Sequence, residues 1–530
     1  MSGVPEPKAP VAAGQCALWL CVAAGVASIS LRILYLWQSW RIDLSVPQAF
    51  IGAEGLMGIV ASDITRGARP VFYYWAYSHG TLEAYLAALA FLVFGKSMTV
   101  LRLVPTLLAV SWVPLTGLLA ARLYGKRAGY LAATLMALPA QFVFEWGCTA
   151  WGGPSRIMWL LLGLYVLLLL LERVTRPRIV ALGLVVGISL WVSLLSLGAL
   201  PIYALGLLAW VRLTRRQWAL LLIACVIGMG PLIYGNVREP LVSARGIAAQ
   251  IVRRAPMKLP DTKGEDRFYR SVPLFQVLGA QPRSDGRWSA SGSVGAAFLV
   301  VGTAAAAWQS FRRRRTRPIM FRGATLLLAC VASGLMSGLP GFFGEPVARY
   351  SIGLYPAACV LAVGWLIQAW PRLAVAVVAL FAVANTVQLV EPIRAQARTP
   401  AHVIIDALLE RGLNRGFGAG NMYDLVFESG ERLIIEPVEW TYVPRYQRMM
   451  QAADRTFYIY REDQKRNVSY QVFMAYLANH GIRYQHFDVA EYHVLYDFEP
   501  PGSVNTQAIR EMRKEIRQRK GRLRQHAFDR

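Results

Sequence analysis

Of 530 residues, 55% are hydrophobic and only 16% charged, and the mean hydropathy is +0.38, which excludes an ordinary soluble enzyme and implies an integral membrane protein. The 56 Lys and Arg against 31 Asp and Glu give a formal charge of +25. Because the basic residues stand in short clusters between apolar runs, they mark membrane topology and not a nucleic-acid partner. The six cysteines, Cys16, Cys21, Cys148, Cys225, Cys330 and Cys359, lie mostly inside apolar runs without paired spacing, which argues against a disulfide framework and a zinc knuckle.

The first apolar run, residues 16–37, has no small-residue cleavage site after it and carries Arg32 near its end. It reads as an uncleaved spanning helix behind a cytoplasmic N-terminus of residues 1–15. A long outer loop, residues 39–99, follows. Residues 100–121 then return to the basic RLYGKR, 128–144 lead out to the turn EWGCTAWGGPSR, and 158–171 go back in to ERVTRPR. Residues 180–195 go out, 199–211 come in to RLTRR, and 219–234 lead out to a polar loop of residues 235–292. Residues 293–308 enter the most basic turn, FRRRRTRPIMFR, and the runs 324–339, 351–369 and 373–390 complete about eleven spans within residues 16–392. With the N-terminus inside, the Arg-rich turns are cytoplasmic and the long loops are outside. This holds if residues 82–95, too short to span and carrying Glu83, form an interfacial helix.

From about Arg394 the character changes. Tyr-rich, charged sequence with short apolar segments such as HVIIDALLERG, ERLIIEP and RTFYIYRE alternates helix-like and strand-like periods, as expected of a small α/β extracytoplasmic domain over residues 393–500. Residues 501–530 read as a basic tail. Nine Lys or Arg between Thr506 and Arg530 stand against three acids, the composition of a solvated helix or unstructured tail drawn to anionic lipid.

The stretch that carries chemistry begins at Phe50, FIGAEGLMGIVASDITRGARPVFYYWAYSHGTLEAYLAALAFLVFG. Acids beside a bilayer lose hydration unless a polar cavity receives them, which makes Glu54, Asp63 and Glu83 site candidates. If residues 53–65 are helical, Glu54 and Asp63 point to opposite faces, so one of them can enter a common pocket. Glu54 sits at the start of that helix, where the dipole favours a carboxylate, and shares a face with Gly58 and Ala61, which leave room for a ligand. Asp63 has Arg66 three residues later and Arg69 nearby, so an exposed ion pair explains it adequately and a structural role is the preferred reading. His79 and Glu83, four apart and near Tyr77, either clamp a metal or hydroxyl or form an interfacial pair. Glu145 stands with Trp146, Trp151 and Arg156 at an outer turn. Carboxylates with indole rings suit a sugar, and interfacial anchoring is the alternative for the tryptophans. The outer loop supplies Arg253 and Arg254 among other cations, for a phosphate headgroup or for anionic lipid. Arg349, with Tyr350 beside it in GEPVARYSIGLYP, either snorkels or holds a phosphate just under the headgroups.

The order of first helix, FIGAEGLMGIVASDITRG, YxHGTLEAYLAALAFLVFG, LRLVPTLL, RLYGKRAGYLAA and ARYSIGLYP resembles the GT-C membrane glycosyltransferases. The likeness is nearest the branch of protein O-mannosyltransferases and lipid A aminoarabinose transferases and runs from about Cys16 to Val390. The resemblance implies a polyprenyl-phosphate sugar donor, a catalytic acid in the first outer loop and often a second in the next. Those roles fall on Glu54 and Glu145. It also implies a lipid-phosphate contact at Arg349. The family commonly presents Asp-Glu where this chain has Ala53-Glu54, so Glu54 either serves as the base with a longer arm or activity is lost or altered.

The expected protein is thus a polytopic α-helical membrane protein of GT-C type. It would be an inverting glycosyltransferase of a bacterial inner membrane that moves a sugar to a glycan, lipid or protein acceptor at the extracytoplasmic face. Glu54 would take the acceptor's proton, Arg349 with Arg253 or Arg254 would stabilise the departing phosphate, and Glu145 would orient the acceptor or assist a divalent cation, Mg or Mn. No dedicated metal site is called for by the residues themselves. A lipid-linked glycan transporter and a non-catalytic lipid- or glycan-binding scaffold are the alternatives. The transporter expects charges near the middle of several spans and symmetric broken helices, neither of which is evident in the sequence.

Overall fold

The computed structural model describes residues 11–38, 49–74, 76–244, 277–278, 290–338, 348–394 and 401–528. The apolar runs read from the sequence are all helical. They form α1 (Val11–Gln38), the pair α4 (Met98–Val110) and α5 (Trp112–Tyr124), the broken pair α6 (Lys126–Ala137) and α7 (Gln141–Gly147), and α8 (Gly153–Glu172). The series continues with α9 (Arg176–Val192), α10 (Leu200–Trp210), α11 (Arg215–Gly228), α12 (Gly230–Arg238), α13 (Ala290–Arg312), α14 (Pro318–Gly338), α15 (Leu354–Ala369) and α16 (Pro371–Arg394). Among the described residues six helices are long and apolar enough to cross a membrane, or seven if α11 and α12, bent by 59° at their junction, count as one span. The expected eleven is therefore reached only by counting shorter or interrupted helices. Pro139 stands in the break between α6 and α7, where a helix interior cannot keep a residue that lacks an N–H. α9 and α15 have 17 and 16 residues, just under the usual spanning length.

Local signals explain the ends of several helices. Ser97 accepts from the Val100 N–H at the start of α4, and Thr214 with Gln217 forms a capping box at the start of α11. α8 begins after Gly152, whose φ of +82° suits a residue without a Cβ, and Pro154 sits in its first turn, where the missing N–H costs nothing.

The outer loop is built from α2 (Ala49–Thr65), a small hairpin of β1 (Phe72–Tyr73) and β2 (Ala76–Gly80), and α3 (Leu82–Phe94). α3 has 13 residues, too few to cross. It buries Ala84, Ala87, Ala88 and Phe91 and exposes Leu89, Leu92, Val93 and Phe94, the distribution of a helix lying in an interface.

The C-terminal segment forms a five-stranded sheet in the order β4-β3-β5-β7-β6, with β3 (Arg415–Gly418) parallel to β4 (Ile434–Pro437) and β5 (Phe457–Arg461). β7 (Tyr492–Glu499) runs antiparallel to β5 and to β6 (Arg483–Val489). The sheet packs directly on the outer-loop helices. Leu56, Met57, Ile59 and Val60 of α2 and Phe91 of α3 share one hydrophobic core with Ile404, Tyr423, Phe457 and Phe473. Three glycines of α2 make the seam. A Cβ on Gly52 would lie 2.5 Å from Asn421, one on Gly55 2.3 Å from the Asp424 nitrogen, and one on Gly58 2.7 Å from the Phe427 ring. Of the two alternatives for the basic C-terminal stretch, the structure has the helix, with one face packed. Thr506–Phe528 is one helix whose Ala508, Ile509, Met512 and Ile516 are buried, so its first turns belong to the sheet's packing.

Candidate active site around the 145–156 turn

Three of the candidate acids, Glu54, Glu83 and Glu145, meet at the turn between α7 and α8, residues 145–156. Glu54 reaches it from α2. Its Oε1 accepts from the Ala150 N–H at 2.8 Å and from Arg102 Nε at 3.0 Å, and its Oε2 accepts from Arg102 Nη2 at 2.5 Å. Glu54 is 0% and Arg102 2% exposed, a bidentate pair out of reach of solvent screening. Glu83 reaches the same turn from the first turn of α3. Its Oε2 accepts from Gly152 N at 3.1 Å, and its Oε1 accepts from Ser155 N at 2.9 Å and Ser155 Oγ at 2.5 Å. The carboxylate thereby satisfies donors that the start of α8 leaves open and sits where the helix dipole favours negative charge. Burial pushes the Glu83 carboxyl up from its ordinary pKa, and the Ser155 and Gly152 donors pull it back.

The turn is also braced from within and from the helices behind it. Trp112 Nε1 donates to the Pro154 carbonyl at 3.1 Å, and Trp151 Nε1 donates to the Trp146 carbonyl at 3.0 Å, with the two indoles edge to face at 5.3 Å. Glu145 is 1% exposed and accepts from Gln141 Nε2 at 2.8 Å. From the far side, the Arg349 guanidinium lies 5.4 Å from the Trp146 ring centre and 5.0 Å from that of Tyr350, cation–π distances. Arg156 Nη2 donates to the Tyr350 carbonyl at 3.3 Å.

Several sequence readings change in this light. The helix carrying Glu54 starts at Ala49, so Glu54 stands in its second turn, and Arg102, not the helix dipole, holds it. The space expected beside Gly58 is filled by Phe427. Asp63 is not in an exposed ion pair. It is 6% exposed, accepts from Tyr74 Oη at 2.7 Å and Arg66 Nη1 at 3.3 Å, and pairs with Arg445 across the seam. Arg445 in turn meets Glu431 at 2.7 Å and Arg66 meets Glu431 at 2.5 Å, so Asp63 joins α2 to the C-terminal layer. His79 and Glu83 do not share a helix. His79 lies in β2, bridges to the Ser193 backbone and has its Nδ1 3.0 Å from Ser78 Oγ, which removes the four-residue helical clamp. Among the described residues no group of three His, Cys, Asp or Glu side chains gathers to hold a metal. Tyr77 lies in β2, but its side chain, and all of Arg253 and Arg254, lie outside the described residues.

Sequence reasoning missed Arg102 and undervalued Arg156. An arginine inside the apolar run of α4 is signal enough, because an ionisable group at such a place calls for a partner or a function.

No protein-family model matches the chain, and no curated protein matches its sequence. Solved structures do match. The crystal structure of ArnT from Cupriavidus metallidurans in the apo state aligns at a TM-score of 0.59 and 13% identity, covering 89% of this chain and 97% of that one. The same protein bound to undecaprenyl phosphate aligns at 0.58 and 13%, covering 90% and 97%. An oligosaccharyltransferase from Archaeoglobus fulgidus aligns at 0.48 and 14%, covering 91% and 74%. The likeness to the ArnT structures runs over most of both chains and is one of fold, the GT-C type of polytopic helical fold.

Proposed function

We propose that this protein is an inverting glycosyltransferase that takes a sugar from a polyprenyl phosphate and passes it to an acceptor hydroxyl at the extracytoplasmic face of a bacterial inner membrane. The observation that carries this reading is the convergence of Glu54, Glu83 and Glu145, with the rings of Trp146 and Trp151, on one turn. That turn lies within a fold shared with a protein that has been captured with undecaprenyl phosphate. Carboxylates accept from sugar hydroxyls and indole faces cover sugar C–H groups.

In the transfer, the acceptor oxygen attacks the anomeric carbon while the bond from that carbon to the phosphate oxygen breaks. The polyprenyl phosphate leaves with the bonding electrons, and the acceptor's proton passes to a carboxylate. A carboxylate has about four acceptor positions, and three are taken at Glu54. The position left on Oε2 is the one at which Glu54 would receive that proton. Arg102 fixes the carboxylate in place through two of those positions, so the acceptor must be brought to the remaining one. Arg349, on the Trp146 face, supplies positive charge on the side where the leaving group departs.

The same occupancy of Glu54 favours one alternative, a lipid-binding scaffold without turnover. Incubating the purified protein with a mixed pool of polyprenyl-phosphate sugars separates the two readings. Release or transfer of sugar that is lost with Glu54→Asp supports the enzyme, and binding with no sugar released leaves the scaffold.

A further inference from the structure

Beside the turn lies a pocket with about 480 Å³ of empty space, mouth included, walled by the first turns of α8, by the connection between α9 and α10, by α14 and by the segment at Tyr350. Its polar end holds Arg156, Ser196 and the Tyr350 backbone, and its other walls are Leu160, Leu195 and Ile202. Arg156 is the unusual member. Among the described residues no carboxylate pairs with it, its Nε is buried without a hydrogen-bond partner, and the hydroxyl of Ser196 is buried without one as well. A guanidinium in an apolar helix ordinarily finds a carboxylate or snorkels to water. Here Nη2 turns instead to the Tyr350 carbonyl. Buried donors left open in this way carry a desolvation cost that a ligand with acceptor oxygens removes.

We infer that this pocket is an anion seat for a phosphate, with Arg156 Nε and Ser196 Oγ donating to its oxygens and the leucine-lined wall receiving the first carbons of an attached lipid. The inference rests on the transfer reading for the identity of the lipid, since the seat would hold the phosphate of the polyprenyl donor. The chemistry of the seat itself requires only a phosphate. It shifts the main phosphate contact away from Arg349, whose guanidinium is already laid on Trp146 and Tyr350, to a residue that the sequence marks only as a neighbour of Glu145 at the outer turn. Arginine suits the task because its planar fork keeps its charge in apolar surroundings and matches phosphate oxygens.

The test uses the full chain in lipid nanodiscs and measures binding of undecaprenyl phosphate, of the uncharged prenol and of inorganic phosphate by native mass spectrometry. Arg156→Gln is expected to weaken undecaprenyl phosphate about 10- to 100-fold, the loss of a charge-assisted contact, and to leave the prenol unchanged. Arg156→Lys and Ser196→Ala should each lose less, and they serve in place of Arg156→Gln if that variant does not fold. Competition by inorganic phosphate at similar concentration would assign the seat to free phosphate, whereas competition only by the prenyl phosphate assigns it to the lipid. Unchanged undecaprenyl phosphate binding in all three variants, or an equal loss for phosphate and prenol, overturns the seat. The two proposals fail separately. Arg156-dependent binding without turnover of any sugar donor removes the transfer reading and keeps the seat. Turnover by Arg156→Gln at unchanged donor KM removes the seat and keeps the transfer.

Discussion

Replacing Glu54 by Gln should unfold as well as inactivate the protein. The Glu54 and Arg102 side chains are 0% and 2% exposed and meet at 2.5 Å, so neither solvent nor salt shares their charge. Gln in place of Glu54 keeps the shape and leaves the guanidinium buried without a counter-charge. Breaking a buried pair from one side costs about 3–5 kcal/mol. A surface pair provides the scale. Arg455 and Asp497 are as close, at 2.6 Å, but 44% and 37% exposed, and losing that pair should cost at most about 1 kcal/mol. The assay is a double-mutant cycle of thermal melts in one detergent, with Glu54→Gln, Arg102→Gln and both together. The double variant should recover much of the loss, because the lone charge is gone. A Glu54→Gln protein that melts like the wild type would refute the reasoning, as would an Arg455→Gln protein that loses just as much. Loss of turnover in Glu54→Gln therefore says nothing about a base unless the melts are matched. Glu54→Asp, which keeps the charge while drawing the carboxylate back, is the cleaner probe of proton transfer.

Glu83→Ala leaves the Gly152 and Ser155 donors without their acceptor and should cost about 1–3 kcal/mol, read as a lower melting temperature. Arg445→Ala should loosen the seam to Asp63 and Glu431, read as faster hydrogen exchange in Tyr423–Glu428 with the sheet strands unaffected. Gly55→Leu should fail to fold, because its Cβ would meet the Asp424 nitrogen at 2.3 Å, while Gly25→Leu, with nothing within 4 Å, should be tolerated; equal expression of the two would refute the close approach. Glu436, at the end of β4, is pushed up to about 7 by burial. Its folded pKa lies above the unfolded value, so the folded state binds the extra proton. Stability is full below about pH 4 and falls as pH rises to about 7, by on the order of 3 kcal/mol. Melts from pH 5 to pH 8 should slope downward in the wild type and flatten in Glu436→Gln.

How much of this was legible in the residues differs by level. Spanning helices announce themselves because lipid demands long apolar runs with internal hydrogen bonding, and each of those runs is helical in the structure. Glu54, Glu83 and Glu145 stood out because acids are rare in such surroundings, and they do meet at one turn. Their partners were hidden. Arg102 is 48 residues from Glu54, and local sequence spacing carries no record of a contact that tertiary packing makes. The glycines of α2 were visible, but open space for a ligand and close approach of another backbone have the same signature in one chain. Only the Asn421, Asp424 and Phe427 contacts decide between them. His79 and Glu83 misled for a related reason, since their four-residue spacing pairs side chains only on a helix, and Gly80 ends a strand between them.

The turn at residues 145–156 is short, glycine-rich and without regular structure between Gly147 and Gly153, which alone would leave it loose. It is held because three of its backbone donors are taken by carboxylates from two other helices, Ala150 by Glu54 and Gly152 and Ser155 by Glu83. α2 cannot shift without carrying Glu54, and α2 is itself fixed by the glycine seam and the Asp63–Arg445 pair. The C-terminal layer therefore bears on the turn through α2, with the Tyr423–Glu428 helix packed on one face of α2 and Glu54 extending from another toward Ala150. A site that must present carboxylates within hydrogen-bond reach of a reacting sugar needs this kind of support, because a displacement of about 1 Å can cost on the order of a hundredfold in rate. Substitutions at the seam should then lower turnover more than they lower lipid binding, since the pocket at Arg156 is walled by α8, the connection between α9 and α10, α14 and the Tyr350 segment, and no residue of α2 lines it.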